Sequence, residues 1–82
     1  MLAIKYSNQA VKFLKRCDHI IVKRILDKIE LLSINPFPQD VKVTQGDKLF
    51  RVRVGKTRIL YEVDHENNLL GIVKIDKRPR VY

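Results

Sequence analysis

The stretch that decides the fold runs from residue 49 to residue 63 and reads LFRVRVGKTRILYEV. On both sides of Gly55-Lys56, apolar residues alternate with basic or polar ones, and this period of two is typical of a strand with one buried face. Glycine at the first central position of a two-residue turn suits the type II′ geometry of tight hairpins. The stretch therefore predicts a β-hairpin in which Arg53 faces Arg58 across the two strands.

The register of this hairpin separates apolar side chains from basic ones. The apolar face is expected to pack under helices. Its residues are Phe50, Val52, Val54, Ile59 and Tyr61. The opposite face carries Arg51, Arg53 and Arg58. Because a slip of one residue would move every side chain to the other face, this sorting specifies the register.

A turn-rich segment at residues 64–68 follows the hairpin and predicts a further strand after it. A five-residue loop at this position would pair Arg58 with Lys74, so that Lys74 adds a cation to the basic face. The apolar residues of the last strand would then be divided between the core, with Val73 and Ile75, and the basic face, where Ile72 joins Leu60.

The N-terminal part of the chain has the patterns of one short strand and two helices. Residues 2–6 alternate between apolar and other side chains, after which Ser7 or Asn8 can cap a helix. Asp18 can cap a second helix, whose apolar residues recur at four-residue steps. The segment Asn35-Pro36-Phe37-Pro38 is expected to end that helix.

The order of these elements predicts the fold class. Val41 and Val43 begin a short strand that is expected to end at Gln45-Gly46, and the hairpin follows. The chain thus reads β-α-α-β-β-β-β, which predicts an α+β fold with a single antiparallel sheet. The N-terminal helical hairpin is expected to pack on one face of that sheet, and residues 1–82 are expected to form a single domain.

The chain is strongly basic, with 17 Lys and Arg against 9 Asp and Glu, a formal net charge of +8 and a pI near 9.9. This balance favours polyanionic partners: nucleic acid, an anionic membrane surface or an acidic protein. The single cysteine, Cys17, cannot form an intrachain disulfide, which fits a reducing compartment. With no signal-peptide pattern and no membrane-spanning apolar run, a cytoplasmic protein is expected.

Residues suited to metal or nucleophilic chemistry are sparse. His19 and His65 have no evident partner in the sequence, and Cys17 falls at the spacing of a helix core. The glycines form no phosphate-binding loop. The pattern therefore predicts chemistry without a metal or cofactor, built from Arg, Lys and Tyr side chains.

Two basic features have two interpretations each. Arg53, Arg58 and Lys74 would converge either on a solvated surface or on an anion-binding site. Like charges directly opposite one another cost roughly 0.2–1 kcal/mol per pair, which favours the anion site. The segment 77–82 carries three further cations and Tyr82. It is either a frayed tail or a group that contacts phosphates and bases, and spacing alone leaves both open.

The hairpin LFRVRVGKTRILYEV and the ending IDKRPRVY at residues 75–82 resemble the central hairpin and closing strand of the RelE/ParE toxin superfamily. The resemblance covers the whole chain and implies a microbial-ribonuclease-like fold. RelE-like members are ribosome-dependent endoribonucleases that cut mRNA in the ribosomal A site and inhibit translation. The resemblance therefore implies a toxin of a type II toxin–antitoxin system, with the ribosome, mRNA and an acidic, RelB-like antitoxin that wraps around it as partners.

The resemblance also implies a set of site residues. Arg51 and Arg53 match the family's basic pair on the central strand, and Arg58 matches the phosphate-binding arginine of the next strand. Arg78 and Tyr82 match the C-terminal arginine and tyrosine. The expected catalytic residues are Arg53, Arg58, Arg78 and Tyr82. The expected RNA-binding residues are Arg51, Lys48, Lys56, Lys74, Lys77 and Arg80.

Departures from the family pattern keep two alternatives open. Many RelE members carry lysine where this chain has Arg51 and Arg53, and arginine does not release its proton readily, which weakens any general-base role there. Pro79 fixes the backbone beside Arg78. The alternatives are a ParE-like inhibitor of DNA gyrase and a catalytically impaired homologue that binds RNA.

Overall fold

The computed structural model describes residues 1–43 and 49–77, which form two helices and a five-stranded sheet. Along the chain the elements are β1 (Ala3–Tyr6), α1 (Asn8–Arg16), α2 (His19–Ile34), β2 (Lys42–Val43), β3 (Phe50–Val54), β4 (Thr57–Asp64) and β5 (Leu69–Lys77). In the sheet they follow the order β1-β5-β4-β3-β2. The predicted α+β class and the predicted order of strand, helical hairpin and strands are confirmed.

The sheet is mixed, whereas the sequence predicted an antiparallel one. The pairs β2–β3, β3–β4 and β4–β5 are antiparallel, but β1 lies parallel to β5, with Ala3 opposite Leu69 and Tyr6 opposite Ile72. Alternation in residues 2–6 predicts a strand without specifying its direction. Parallel neighbours need a long connection, and the helices and the strands between β1 and β5 provide it.

Both helices begin at predicted caps. The Ser7 hydroxyl accepts a hydrogen bond from the Ala10 backbone N–H at 3.1 Å, which decides between the two candidate caps of α1. Asp18 Oδ1 accepts from the N–H groups of Ile20 and Ile21 at 3.0 and 3.1 Å. Such a cap contributes about 1 kcal/mol, and the two caps fix where the helices start relative to the sheet.

One hydrophobic core lies between the helices and one face of the sheet. Its buried residues are Ala10, Ile25, Ile29, Leu32, Val52, Ile59, Tyr61, Leu70, Ile72 and Ile75. Burying one large aliphatic side chain contributes about 1.5–3 kcal/mol, so this layer dominates the stability of the fold. The Tyr61 hydroxyl donates a hydrogen bond to the Pro36 carbonyl oxygen, which ties the segment after α2 to β4.

Strands β3 and β4 form the hairpin that the sequence predicts. Gly55 has a φ of 60°, while the following Lys56 keeps an ordinary φ, as a type II′ turn requires. Arg53 lies opposite Arg58 and Phe50 lies opposite Tyr61, so the predicted register is confirmed.

The loop between β4 and β5 is shorter than predicted. Asp64 pairs with Leu69, so only residues 65–68 connect the strands. The Asp64 carboxylate accepts a hydrogen bond from the Asn67 backbone N–H at 3.1 Å. Asn68 closes the loop with a φ of 57°, a left-handed conformation that asparagine tolerates better than most residues.

Strand β5 contains a β-bulge that the sequence analysis did not anticipate. Tyr61 lies opposite Ile72, but the preceding residue of β4, Leu60, lies opposite Lys74. Val73, predicted in the core, is therefore the extra residue, and it is only half-buried. Because of this extra residue, Ile72 and Ile75 both face the core although they are three positions apart.

The shorter loop and the bulge together overturn the predicted register of β5. Arg58 lies opposite Asp76 and not opposite Lys74. Ile72, predicted on the basic face, is buried in the core. The predicted core position of Ile75 is confirmed, since it pairs with a core residue of β4 and is fully buried.

Helix α1 is fastened to β5 at the bulge, where β1 no longer pairs with β5. The Ser7 hydroxyl donates to the Val73 carbonyl oxygen at 2.7 Å. Gln9 Nε2 donates to the Ile75 carbonyl oxygen at 2.7 Å, and Gln9 Oε1 accepts from the Ile75 N–H at 2.8 Å. A neighbouring strand would satisfy the same donor and acceptor, so the Gln9 amide replaces a strand where β1 ends.

Candidate nucleic-acid interface

We call the sheet surface turned away from the helices the outer face. Strand alternation places on it Lys42 of β2, Arg51 and Arg53 of β3, Arg58 of β4 and Lys74 of β5. Cations from four adjacent strands therefore share one surface, in agreement with the predicted faces of β3 and β4.

The strand register arranges the outer face in rows that run across the strands. One row contains Arg53, Arg58 and Asp76. The neighbouring row contains Lys42, Arg51, Leu60 and Lys74. The second row therefore places three cations around one half-buried leucine, and it is the more positive of the two.

Arg51 and Arg53 have guanidinium groups that make no ion pair with any other described residue. Both side chains line an open cavity of about 230 Å³ together with Asp40 and Lys42. The carboxylate of Asp40 is bound by Lys28, whose Nζ lies 2.9 Å from Oδ2. The donors of the two arginines are therefore available to an anion that enters the cavity.

Arg58 has an intrachain partner on the next strand. Its Nε donates to Asp76 Oδ1 at 3.0 Å and its Nη2 donates to Oδ2 at 2.9 Å. Lys74 Nζ lies 3.7 Å from the same Oδ2. The side chains of Arg58 and Asp76 are only 26% and 23% exposed. Among the cations that the sequence predicted to converge, Arg58 and Lys74 therefore both contact the carboxylate of Asp76.

This ion pair keeps both of its members charged. Hydrogen bonds from Arg58 hold the pKa of Asp76 below its ordinary value, and the charge of Lys74 acts in the same direction. The carboxylate in turn raises the pKa of Arg58. Since neither group changes its protonation near neutral pH, the pair can bind anions or orient side chains but cannot relay a proton.

The remaining predicted site residues are dispersed. Lys56 is exposed in the hairpin turn. Lys77 lies opposite Thr57, which is buried on the helix side, so alternation places Lys77 on the side opposite to Arg58. The predictions for Lys48, Arg78, Pro79, Arg80 and Tyr82 lie outside the described residues. Within residues 1–43 and 49–77, the structure thus brings Arg53 and Arg58 together from the predicted catalytic set.

Sequence reasoning missed Asp76 and Lys42 as members of the outer face. Asp76 reaches Arg58 because the four-residue loop and the bulge in β5 each shift the register by one residue. The sequence gives no clear signal for that bulge, because apolar residues occur at positions 69, 70, 72, 73 and 75 and fit either assignment of faces.

The residues that the structure describes contain no group of three His, Cys, Asp or Glu side chains that could hold a metal ion. Neither of the two described helices is both long and apolar enough to cross a membrane.

Comparison with known proteins identifies the family. Residues 4–82 match the family model described as the ParE toxin of type II toxin–antitoxin system, parDE. The chain is also 32% identical over 83 residues to "Putative toxin RelE1" of Methanocaldococcus jannaschii, a match that covers 96% of this chain and 92% of the relative. The chain therefore belongs to the RelE/ParE family of type II toxin–antitoxin toxins.

Within that family, RelE proteins are prominent among the solved structures with the same fold. The archaeal RelE–RelB complex from Pyrococcus horikoshii OT3 matches with a TM-score of 0.82 and 27% identity, covering 98% of each chain. The isolated Escherichia coli RelE toxin matches with a TM-score of 0.86 over 99% of this chain and 88% of that one. At 13% identity, this second likeness concerns the fold alone. The predicted resemblance to RelE-type toxins is confirmed.

Proposed function

We propose that this chain is a ribosome-dependent endoribonuclease that cuts mRNA in the ribosomal A site and so inhibits translation. The observation that carries the proposal is the outer face, where Arg53 lies opposite Arg58 and the guanidinium groups of Arg51 and Arg53 make no ion pair with another described residue. Similarity to a relative named as a RelE toxin supports RNA cleavage over general anion binding.

The proposed reaction is attack of a ribose 2′-OH on the adjacent phosphorus, with cleavage of the bond to the 5′-oxygen. As the phosphorane forms, negative charge develops on its non-bridging oxygens. Arg53 and Arg58 would stabilise that charge, because fixed donors directed at developing charge are worth more in a protein site than in water. The proposed route uses no metal ion and no cofactor.

Two C-terminal residues complete the proposed site. Arg78 would assist the leaving 5′-oxygen or hold the phosphate, and Tyr82 would accept the 2′-OH proton or stack on a base. Both lie outside the described residues, so their roles rest on the family resemblance. Since the outer face offers arginines and not a histidine, most of the acceleration should come from alignment of mRNA by the ribosome.

The row of Lys42, Arg51, Leu60 and Lys74 is proposed to bind the mRNA backbone next to the cleaved phosphate. Its cations would contact successive phosphates, while the leucine gives an apolar surface for a sugar or base. Such contacts position a nucleic acid without selecting its sequence. Lys48, Lys56 and Arg80 would extend this binding surface, whereas Lys77, which alternation places on the side opposite to Arg58, would not.

A cognate antitoxin is the second proposed partner. Solved relatives include RelE–RelB complexes from Pyrococcus horikoshii and Escherichia coli. Because this chain has a net charge of +8, we expect an acidic, RelB-like chain that wraps around it. Helix α2 exposes Ile20, Leu31 and Ile34 by 65%, 61% and 64%, which gives such a partner apolar surface to cover. The cytoplasm, where ribosomes and mRNA occur, is the proposed location.

Inhibition of DNA gyrase is the second candidate function. The matching family model is described by the ParE toxin, and a gyrase inhibitor of this family would share the fold. An impaired homologue that binds RNA without cutting it would also keep the arginines of the outer face.

The test adds purified protein to end-labelled mRNA, either free or on programmed ribosomes with an empty A site, and maps the cut ends. Cuts that appear only on ribosomes support the proposal. RNA binding without cuts indicates the impaired homologue, and absence of both directs the next assay to gyrase-mediated DNA cleavage.

Arg53→Ala is the sharpest variant for this test, because Arg53 is exposed and makes no ion pair within the described chain. Loss of one such donor is expected to slow cutting about 100-fold, with little change in stability. Arg16→Ala is the matched control, since Arg16 is an exposed arginine in the last turn of α1, distant in the fold from the outer face. Equal cutting by both variants would argue against the site.

A further inference from the structure

Asp76 binds Arg58 in the manner in which a phosphate would. The carboxylate accepts from Nε and Nη2, so it occupies one whole edge of the guanidinium group with two hydrogen bonds of 3.0 and 2.9 Å. Arginine uses the same parallel pair of donors for carboxylates and phosphates. The two oxygens of Asp76 therefore stand where two phosphate oxygens would bind.

The carboxylate also offsets the charge that an RNA phosphate would meet. In the row of Arg53, Arg58 and Asp76, one of two positive charges is compensated within 3 Å. The outer face has another carboxylate, Glu62, one row beyond Leu60, but Glu62 makes no ion pair with any described residue. Among the described residues, Asp76 is thus the acidic side chain that bonds an arginine of the outer face, since the carboxylate of Asp40, which also lines the cavity, is bound by Lys28.

Lys74 gives the carboxylate an alternative partner. Its Nζ already lies 3.7 Å from Asp76 Oδ2, and its side chain is 51% exposed. When a phosphate takes the Nε and Nη2 donors of Arg58, Asp76 can keep a cation nearby without leaving the outer face. Replacement of Asp76 by a phosphate at Arg58 therefore costs less than it would if the half-buried carboxylate lost its only cationic partner.

We propose that Asp76 is an internal competitor for the phosphate-binding edge of Arg58, and that it lowers the affinity of the outer face for RNA. Asp76 is a positioning residue in this scheme, because it acts through Arg58 and does not touch the substrate. The identification of the anion as RNA rests on the proposed function, whereas the competition at Arg58 does not.

The test measures binding of a labelled, single-stranded 2′-O-methyl RNA by fluorescence anisotropy, since this RNA has no free 2′-OH and cannot be cut. The variants are Asp76→Asn, Arg58→Ala and the double variant. Glu62→Gln is the matched control, because it removes the same charge from the same face without touching Arg58. Circular dichroism checks that each variant is folded.

Asp76→Asn is expected to tighten RNA binding about fivefold beyond the effect of Glu62→Gln. In the Arg58→Ala background, the same substitution should have no effect beyond that of Glu62→Gln. If the ion pair has a purely structural role, Asp76→Asn would lower the thermal midpoint without this excess gain in affinity. Equal gains from Asp76→Asn and Glu62→Gln, or a gain that persists without Arg58, would overturn the proposal.

Inorganic pyrophosphate serves as a second probe and separates the two proposals. Its binding is followed through the Arg58 Nε–H resonance in NMR spectra of the wild type and of Asp76→Asn. If no form binds RNA but the variant binds pyrophosphate more tightly at Arg58, the RNA function fails and the competition stands. If Asp76→Asn changes neither RNA nor pyrophosphate binding, the competition itself is refuted.

Discussion

Replacing Gln9 by alanine tests whether a side-chain amide can substitute for a missing strand. The substitution removes the bonds of 2.7 and 2.8 Å to Ile75 and leaves that residue's N–H and C=O without their partner. A hydrogen bond of this type contributes about 0.5–1.5 kcal/mol net, so the pair should contribute roughly 2 kcal/mol. For a domain of this size, such a loss lowers Tm by about 10 °C. Thermal and urea unfolding followed by circular dichroism would measure it.

Asn8→Ala is the matched control for Gln9→Ala. Asn8 is the neighbouring exposed residue of α1, and its side chain makes no hydrogen bond to any described residue. We expect its replacement to change the free energy of unfolding by less than about 0.5 kcal/mol. If Gln9→Ala also stays within that limit, water replaces the amide at no cost and the reasoning is wrong.

Gln9→Glu tests which group donates and which accepts in the two hydrogen bonds to Ile75. A charged glutamate can accept from the Ile75 N–H but cannot donate to the Ile75 carbonyl, whereas a protonated one can do both. The bond to the neutral form raises the pKa of this glutamate in the folded state above its ordinary value of about 4.3. Its extra stabilisation over Gln9→Ala should therefore be largest below that value and should decrease as pH rises through the raised pKa, because the charged form keeps only the bond from the Ile75 N–H. A pH-independent difference between the two variants would contradict the geometry.

Other variants test the core, the turn and the ion pair. Ile59→Ala removes a fully buried side chain and should cost about 2–5 kcal/mol in urea unfolding, whereas Ile20→Ala, at a position 65% exposed, should cost far less. Gly55→Ala places a Cβ at a φ of 60° and should lower stability by about 1–2 kcal/mol, measured in the same way. Because Arg58 lowers the pKa of Asp76 from 3.8, the pair stabilises the fold above that pH and stops doing so as pH falls through the lowered value. Asp76→Asn should therefore lower the urea midpoint at neutral pH and narrow its difference from the wild type in acid.

The features that the sequence predicted correctly depend on local chemistry. The hairpin register follows from strict alternation around Gly55, whose positive φ suits glycine. The caps at Ser7 and Asp18 follow from side chains that bond backbone groups two or three residues away. In each case the deciding atoms are close together along the chain, so the pattern alone carries the information.

The features that the sequence did not predict depend on contacts between distant segments. The parallel direction of β1 is set by its pairing with β5, since Ala3 lies opposite Leu69, which is distant along the chain. The amide of Gln9 bonds a strand 66 positions away in the sequence. The partner of Arg58 was misassigned because the loop that ends at Asn68 is one residue shorter than predicted and because Val73 is an extra residue in β5. Both features shift the register between β4 and β5.

The bulge at Val73 has a consequence for how the chain can change in length. Strand β5 has one residue more at this point than β4 needs for pairing. Loss of Val73 would convert the bulge into a regular ladder and leave Asp76 opposite Arg58, with Ile75 still turned to the core. A deletion inside β3, by contrast, would exchange the faces of the residues beyond it. Among relatives of this toxin, single-residue deletions should therefore be tolerated at the bulge and selected against in the neighbouring strands.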